Sequence, residues 1–224
     1  MFTDNWLELI INGINLTVSL SIGNSLLKHT LLEHVHLMSK GTLTSLSSLL
    51  YNCIALKKVT LPSLNGVVTA TSMFYNCLSL KNIPNIDTST LTSMSTMFYG
   101  CANLKSINTI DANNVSVTGL SSLFSGCSSL TKVNIINTHN VGTMSSMFSG
   151  CTSLVDITSA IDCSSCTSGA LQSTFQNCTA LKKVKLININ NAIPLDFTFN
   201  GCTALTILDI PTTATFTSLL GTFN

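Results

Sequence analysis

Apolar residues recur along this chain with two alternating periods. In TSMSTMFYGC, Met94, Met97, Phe98 and Cys101 stand at i, i+3, i+4 and i+7, the spacing of one helix face over about two turns. Leu46, Leu49, Leu50 and Cys53 occupy the same positions, as do Leu120, Leu123, Phe124, Cys127 and Met144, Met147, Phe148, Cys151. Beyond each cysteine the period shortens. Leu56, Val59 and Leu61 follow the L-x-x-L-x-L spacing of a repeat strand. Polar residues lie between them, as a strand with one buried face requires. Equivalent strands begin at Leu80, Leu104, Leu130, Leu154, Leu181 and Leu205.

The two periods alternate as one module. Cys53, Cys77, Cys101, Cys127, Cys151, Cys178 and Cys202 mark it, spaced 24, 24, 26, 24, 27 and 24 residues apart. The residue before each cysteine is Asn52, Asn76, Gly100, Gly126, Gly150, Asn177 or Gly201. Gly and Asn are the residues that accept the left-handed backbone closing a helix. A degenerate earlier coil places Leu32, Val35 and Leu37 one 24-residue step before Leu56, Val59 and Leu61, with His29 in the cysteine's place. Further upstream, the alternation of Ile14, Leu16, Val18, Leu20 and Ile22 predicts a strand. Asp4–Asn12 predicts a short helix stopped by Gly13. The expected organisation is a cap over 1–21 and a solenoid over 22–224. The fold class is an α/β solenoid of about eight leucine-rich-repeat coils of 24–27 residues. It has a parallel sheet on one face and short helices on the other. One coil cannot bury its own apolar face, so stability is a sum over stacked neighbours.

The frame M-F-x-G-C-x-S-L, followed by a strand and then I-D-T-S-x-x-T-S-M, resembles the BspA-like leucine-rich-repeat family. Residues 85–154 carry it best and weaker copies extend over 44–224. The resemblance implies a surface-displayed binding protein of bacteria or protists. Similar repeats in phage-encoded proteins imply a virion component as the alternative. The N-terminal sequence lacks the basic start and small-residue cleavage site of a signal peptide, so localisation stays open. At the other end the chain finishes in TSLLGTFN, where Phe223 aligns with Phe98. The expectation there is an open coil that packs on a partner, a coil closed by its own last helix, or a truncated reading frame.

Composition narrows the partners. Charged residues make up 8% of the chain against 45% apolar, so the polar surface is mostly Ser, Thr and Asn. Net charge is +1 and every basic residue is lysine. Without arginine, the bidentate reader of phosphate and guanine, nucleic acid is not an expected partner. No apolar run reaches the roughly 20 residues of a membrane-spanning helix, and membrane insertion is not expected.

Five features carry candidate chemistry. The cysteine file lies on the buried stripe, which favours free thiols acting as small hydrophobes over bridges between coils. Cys163 and Cys166 form a C-x-x-C pair that can be redox-active or half a zinc site; a slightly longer loop is the plainer alternative. His34 and His36 can ligate a metal but have no visible third ligand, so surface histidines are favoured and no metal or cofactor is assigned. Asp87, Asp111, Asn137 and Asp162 form a second file at the strand exits, either a cation ladder or a set of side-chain-initiated turns. Eight of the ten lysines fall in the strand segments, where they serve solubility or bind an anionic protein or glycan. For catalysis, no nucleophile elbow, phosphate loop or H-E-x-x-H occurs, and no enzyme is expected.

These features predict a binding scaffold whose sheet face contacts a protein or glycan. By strand alternation the contact residues are Lys58, Asn82, Asn108, Lys132, Asn134, Asp156, Lys183 and Lys185. Self-association through apolar chain ends is the structural alternative.

Overall fold

Parallel strands lie about 4.8 Å apart, and that spacing sets the pitch of the molecule, although the strands expected from Leu80 and Leu104 do not form: between Thr60 and Ile110 only the isolated bridges of Thr69, Ser93 and Ser106 occur. The computed structural model describes residues 6–11, 32–39, 43–116, 118–189 and 193–224. Ten short strands are found there: β1 (Trp6–Ile11), β2 (His34–Ser39), β3 (Lys58–Thr60), β4 (Ile110–Asp111), β5 (Lys132–Val133), β6 (Ile135–Ile136), β7 (Asp156–Ile157), β8 (Ile161–Asp162), β9 (Lys183–Ile187) and β10 (Ile207–Asp209). All pairings are parallel. Val35 pairs with Val59, Lys132 with Asp156, and Lys183 with Ile207. Equivalent residues of successive coils therefore lie side by side, and the molecule is a parallel β-solenoid. The seven cysteine-bearing coils expected from the sequence are all present.

The expected helices are not. Among the described residues the segment before each cysteine is a run of turns, and the only helical element is a single 3₁₀ turn over Thr138–Asn140. Its hydrogen bonds alternate. The N–H groups of Leu46, Ser48, Leu50 and Asn52 donate to the carbonyls of Thr69, Thr71, Met73 and Tyr75 in the next coil, at 2.7–2.9 Å. Those of Leu49, Tyr51 and Cys53 donate three residues back, to Leu46, Ser48 and Leu50, at 3.2–3.3 Å. The reason is spacing. Phe74, Phe98, Phe124, Phe148, Phe175, Phe199 and Phe223 form one stack with ring centroids 5.5–5.8 Å apart. Packed helices need about 8–10 Å between axes. Tandem turns bury the same i, i+3, i+4, i+7 residues at half that width, and alternate peptide groups stay free to bond the next coil.

Each run of turns bends twice through the left-handed region. The Gly/Asn position conforms to expectation at all seven sites, from Asn52 (φ 59°) to Gly201 (φ 74°). Four residues earlier a second site appears that the sequence did not announce: Ser48, Ser72, Thr96, Ser122, Ser146, Ser173 and Phe197, all at φ 54–58°. Small hydroxylic residues dominate there, and the hydroxyls of Ser72 and Thr96 bond each other at 2.7 Å across coils.

The cysteine file explains its own residue type. The cysteines of the file are buried except Cys202, which is half-buried. The thiols of Cys77, Cys101, Cys127, Cys151, Cys178 and Cys202 donate to the carbonyls of Leu50, Phe74, Phe98, Phe124, Phe148 and Phe175 at 3.0–3.2 Å. The Leu50 carbonyl also accepts the N–H of Cys53 at 3.3 Å. Cysteine thus combines a hydrophobe's volume with a weak donor for a buried carbonyl.

Trp6–Ile11, expected within a helix, is instead the parallel partner of His34–Ser39. The strand expected over Ile14–Ile22 and the His29 position lie outside the described residues.

Replacing Gly150 (φ 76°) by valine should destabilise by roughly 1–2 kcal/mol through the left-handed backbone. The nearest atom to an added Cβ is the Gly126 Cα at 3.7 Å, an ordinary contact. Ser149→Ala should change Tm little, and equal losses in the two variants would remove the backbone explanation.

Candidate functional site

Strand alternation turns one residue file inward and its neighbours outward. In β9 the residues Lys183, Val184, Lys185 and Leu186 are exposed, buried, exposed and buried. The eight residues expected on the sheet face all lie outside the core: Lys58, Asn82, Asn108, Lys132, Lys183 and Lys185 are exposed, and Asn134 and Asp156 are half-buried.

They do not form one lysine row. Asp156 pairs in register with Lys132 on one side and Lys183 on the other. Lys185 forms an ion pair with Asp209 at 3.0 Å. An exposed pair of this kind contributes about 0–1 kcal/mol. Its effect here is to neutralise the C-terminal part of the face.

The middle of the face is irregular. Ser106 pairs with Lys132 but Ile110 pairs with Ile135, so residues 107–109 oppose only 133–134. This is a β-bulge, a device that re-aims side chains. One coil earlier Pro84 has no N–H to give a ladder. Between these coils a cleft of about 580 Å³ opens, lined by Asn85, Ser106, Ile107, Asn108, Thr109, Lys132 and Asn134. The Asn108 amide donates to Asn85 Oδ1 at 2.5 Å, and that of Asn134 to Thr109 Oγ1 at 3.0 Å. Three of the eight expected contact residues meet here: Asn108, Lys132 and Asn134.

A second lysine file was not singled out from the alternation pattern. Lys57, Lys81, Lys105 and Lys182 occupy the position directly after the strand's first leucine, and all four are exposed. Their 24-residue spacing over Lys57, Lys81 and Lys105 was the available signal. Lys57 pairs with Glu33 at 2.9 Å. A smaller cleft of about 250 Å³ is lined by Lys57, Ser79, Lys81 and Asn103.

The other candidates resolve into structure. Asp87, Asp111 and Asp162 accept the N–H two residues on, from Ser89, Asn113 and Ser164, at 2.9–3.0 Å, which is the turn-initiating geometry. The Ser89 hydroxyl and N–H hold the Asp87 carboxyl below its ordinary range. Asn137 and Asn188 interleave, donating to Asp111 and Asp162 at 2.9 and 3.0 Å. His36 Nδ1 bonds the Thr60 hydroxyl of the next coil, and His34 pairs in register with Lys58.

Cys163 and Cys166 occupy core files, where other coils carry Thr88 and Leu91 or Ala112 and Val115. They are 0% and 5% exposed. The Cys166 N–H closes a turn onto the Cys163 carbonyl at 3.0 Å. A hydrogen bond with Cys166, and then burial, push the Cys163 thiol well up.

Comparison with known proteins places the repeat. The model of a family described as "Mycoplasma protein of unknown function, DUF285" matches residues 44–159 and 68–189. This agrees, at the level of a repeat family, with the M-F-x-G-C frame. No curated protein matches the chain. Among solved structures, a leucine-rich repeat protein from Bacteroides ovatus ATCC 8483 is similar at 19% identity over 94% of this chain and 71% of that one, with a TM-score of 0.40.

Two outcomes follow from the thiols. Native protein should leave Cys163 and Cys166 unmodified by iodoacetamide while unfolded protein reacts; rapid native labelling would revive a chemical role for the pair. Burial also raises Cys101 from its ordinary 9.0 to about 12 and Cys53 to about 11. Above about pH 9 the unfolded chain binds fewer protons at these sites than the native one, so stability falls as pH rises. Tm should decline over about pH 9–12, and a Cys101→Ala, Cys127→Ala variant should lose part of that slope. An unchanged slope would contradict the linkage.

Proposed function

We propose that this chain, which belongs to the DUF285 family, is a non-enzymatic scaffold that offers the sheet side of its solenoid to a protein or glycan partner. The repeat architecture supports an interaction scaffold in general, because stacked coils build an extended surface that no single coil has. The observation that carries the sheet side is the bulged cleft. It gathers Asn108, Lys132 and Asn134 with Asn85, Ser106 and Thr109 at one place on that face. Hydroxyls and amides ordered by cross-coil hydrogen bonds hold fixed directions, so a partner binding there orders few of them itself.

The test uses the full chain against a panel of immobilised glycans and purified proteins. Asn108→Ala with Asn134→Ala should weaken a bound partner by about tenfold or more, with Tm nearly unchanged, and Lys183→Gln with Lys185→Gln reports whether the contact reaches the C-terminal part of the face. Loss of folding in step with binding, or a partner indifferent to both pairs, would reject the face.

A structural part in a larger assembly is the competing proposal. It draws on the likeness of the M-F-x-G-C frame to repeats of phage-encoded proteins. Light scattering separates the two, since a monomer stable over a wide concentration range counts against assembly.

A further inference from the structure

The charge on the sheet side is polarised along the solenoid. Backbone bonds link neighbours of one outward file, Lys57 N–H to Glu33 O at 2.7 Å, Lys105 N–H to Lys81 O at 3.1 Å and Thr131 N–H to Lys105 O at 3.3 Å, and the 24-residue repeat aligns Lys57 with Lys81. The file therefore reads Glu33, Lys57, Lys81, Lys105, Thr131, Val155, Lys182 and Thr206. Glu33 takes the charge of Lys57. Among the described residues, neither Lys81 nor Lys105 has a carboxylate within salt-bridge distance. No Asp or Glu occurs in the sequence between Glu33 and Asp87. Lys58 and Lys132 flank the file in the next one. Like charges directly opposite across a sheet are destabilising, and the coil spacing keeps Lys81 and Lys105 neighbours. The C-terminal half differs, for there Asp156 and Asp209 alternate with Lys183 and Lys185.

We infer that Lys81 and Lys105, with the small cleft that Lys81 lines and the bulged cleft beginning at Ser106, bind a linear acidic polysaccharide running along the solenoid axis. The lining favours a sugar polymer over an acidic peptide. Both clefts offer amides, hydroxyls and amines, and Ile107 is their one apolar residue. A protein partner's tightly bound core instead seeks aromatic and aliphatic anchors. This inference rests on the sheet side being the binding surface and narrows it to a ligand class and to the N-terminal half.

The probe is immobilised polygalacturonate, with dextran as the neutral polymer and polyglutamate as the acidic peptide. The full chain should bind polygalacturonate, more weakly as salt rises, and leave dextran unbound. Lys81→Ser with Lys105→Ser should weaken binding by about tenfold or more, whereas Lys182→Ser, in the same file of the other half, should leave it within about twofold. Circular dichroism and Tm verify that the variants fold. Undiminished binding by the double variant overturns the inference, as does polyglutamate binding as tightly as polygalacturonate. If no acidic polymer binds, yet a panel partner is lost with Asn108→Ala and Asn134→Ala, the polysaccharide inference fails and the scaffold stands. If the panel also yields nothing, both fail.

Discussion

The pitch of the coil governs this molecule. Parallel strands must approach to about 4.8 Å to exchange hydrogen bonds, and every other part of the coil has to stack at nearly that distance. The phenylalanine stack holds at 5.5–5.8 Å and the Tyr51, Tyr75, Tyr99 stack at 4.6 Å. No helix fits a repeat so narrow. The turn side instead divides its peptide groups, half closing local turns and half bridging coils. That division demands two left-handed residues per coil, a buried donor at the cysteine, and side chains that tolerate an identical neighbour above and below.

Stacking of identical residues also shapes what the surface can do. A charged residue repeated at coil spacing faces its own copy, so charge on such a fold is either interleaved with its opposite or left beside its like. Both solutions occur here. Asp156 and Asp209 interleave with Lys183 and Lys185, and Asn137 and Asn188 separate carboxylates in the turn file. Lys81 and Lys105 have no such partner among the described residues. Because the same backbone position carries Thr131 or Val155 in later coils, the fold itself does not ask for lysine there.

The cleft on the sheet side has a similarly local origin. The regular ladder stops after Thr60 and resumes at Ile110, and between them lie a coil whose Pro84 cannot donate and a one-residue bulge over 107–109. Irregularity in a repeat fold thus marks where the surface departs from what stacking alone would build, and here it coincides with a cluster of ordered amides.

The repeat, its register, the buried files and the left-handed residue before each cysteine were legible in the sequence, because each is written as the same residue type at the same interval. So was the outward set of Lys58, Asn82, Asn108, Lys132, Asn134, Asp156, Lys183 and Lys185, since alternation on a strand needs no tertiary knowledge. The helices were misread for a physical reason. Met94, Met97, Phe98 and Cys101 satisfy a helix face and a pair of tandem turns equally, and only the distance to the next coil separates the two. The bulge depends on comparing registers between coils, and the ion pairs of Lys57 and Lys185 depend on which carboxylate lies in the adjoining coil. Periodicity within the chain determined what is buried; spacing between coils decided the backbone that buries it and the charges left facing outward.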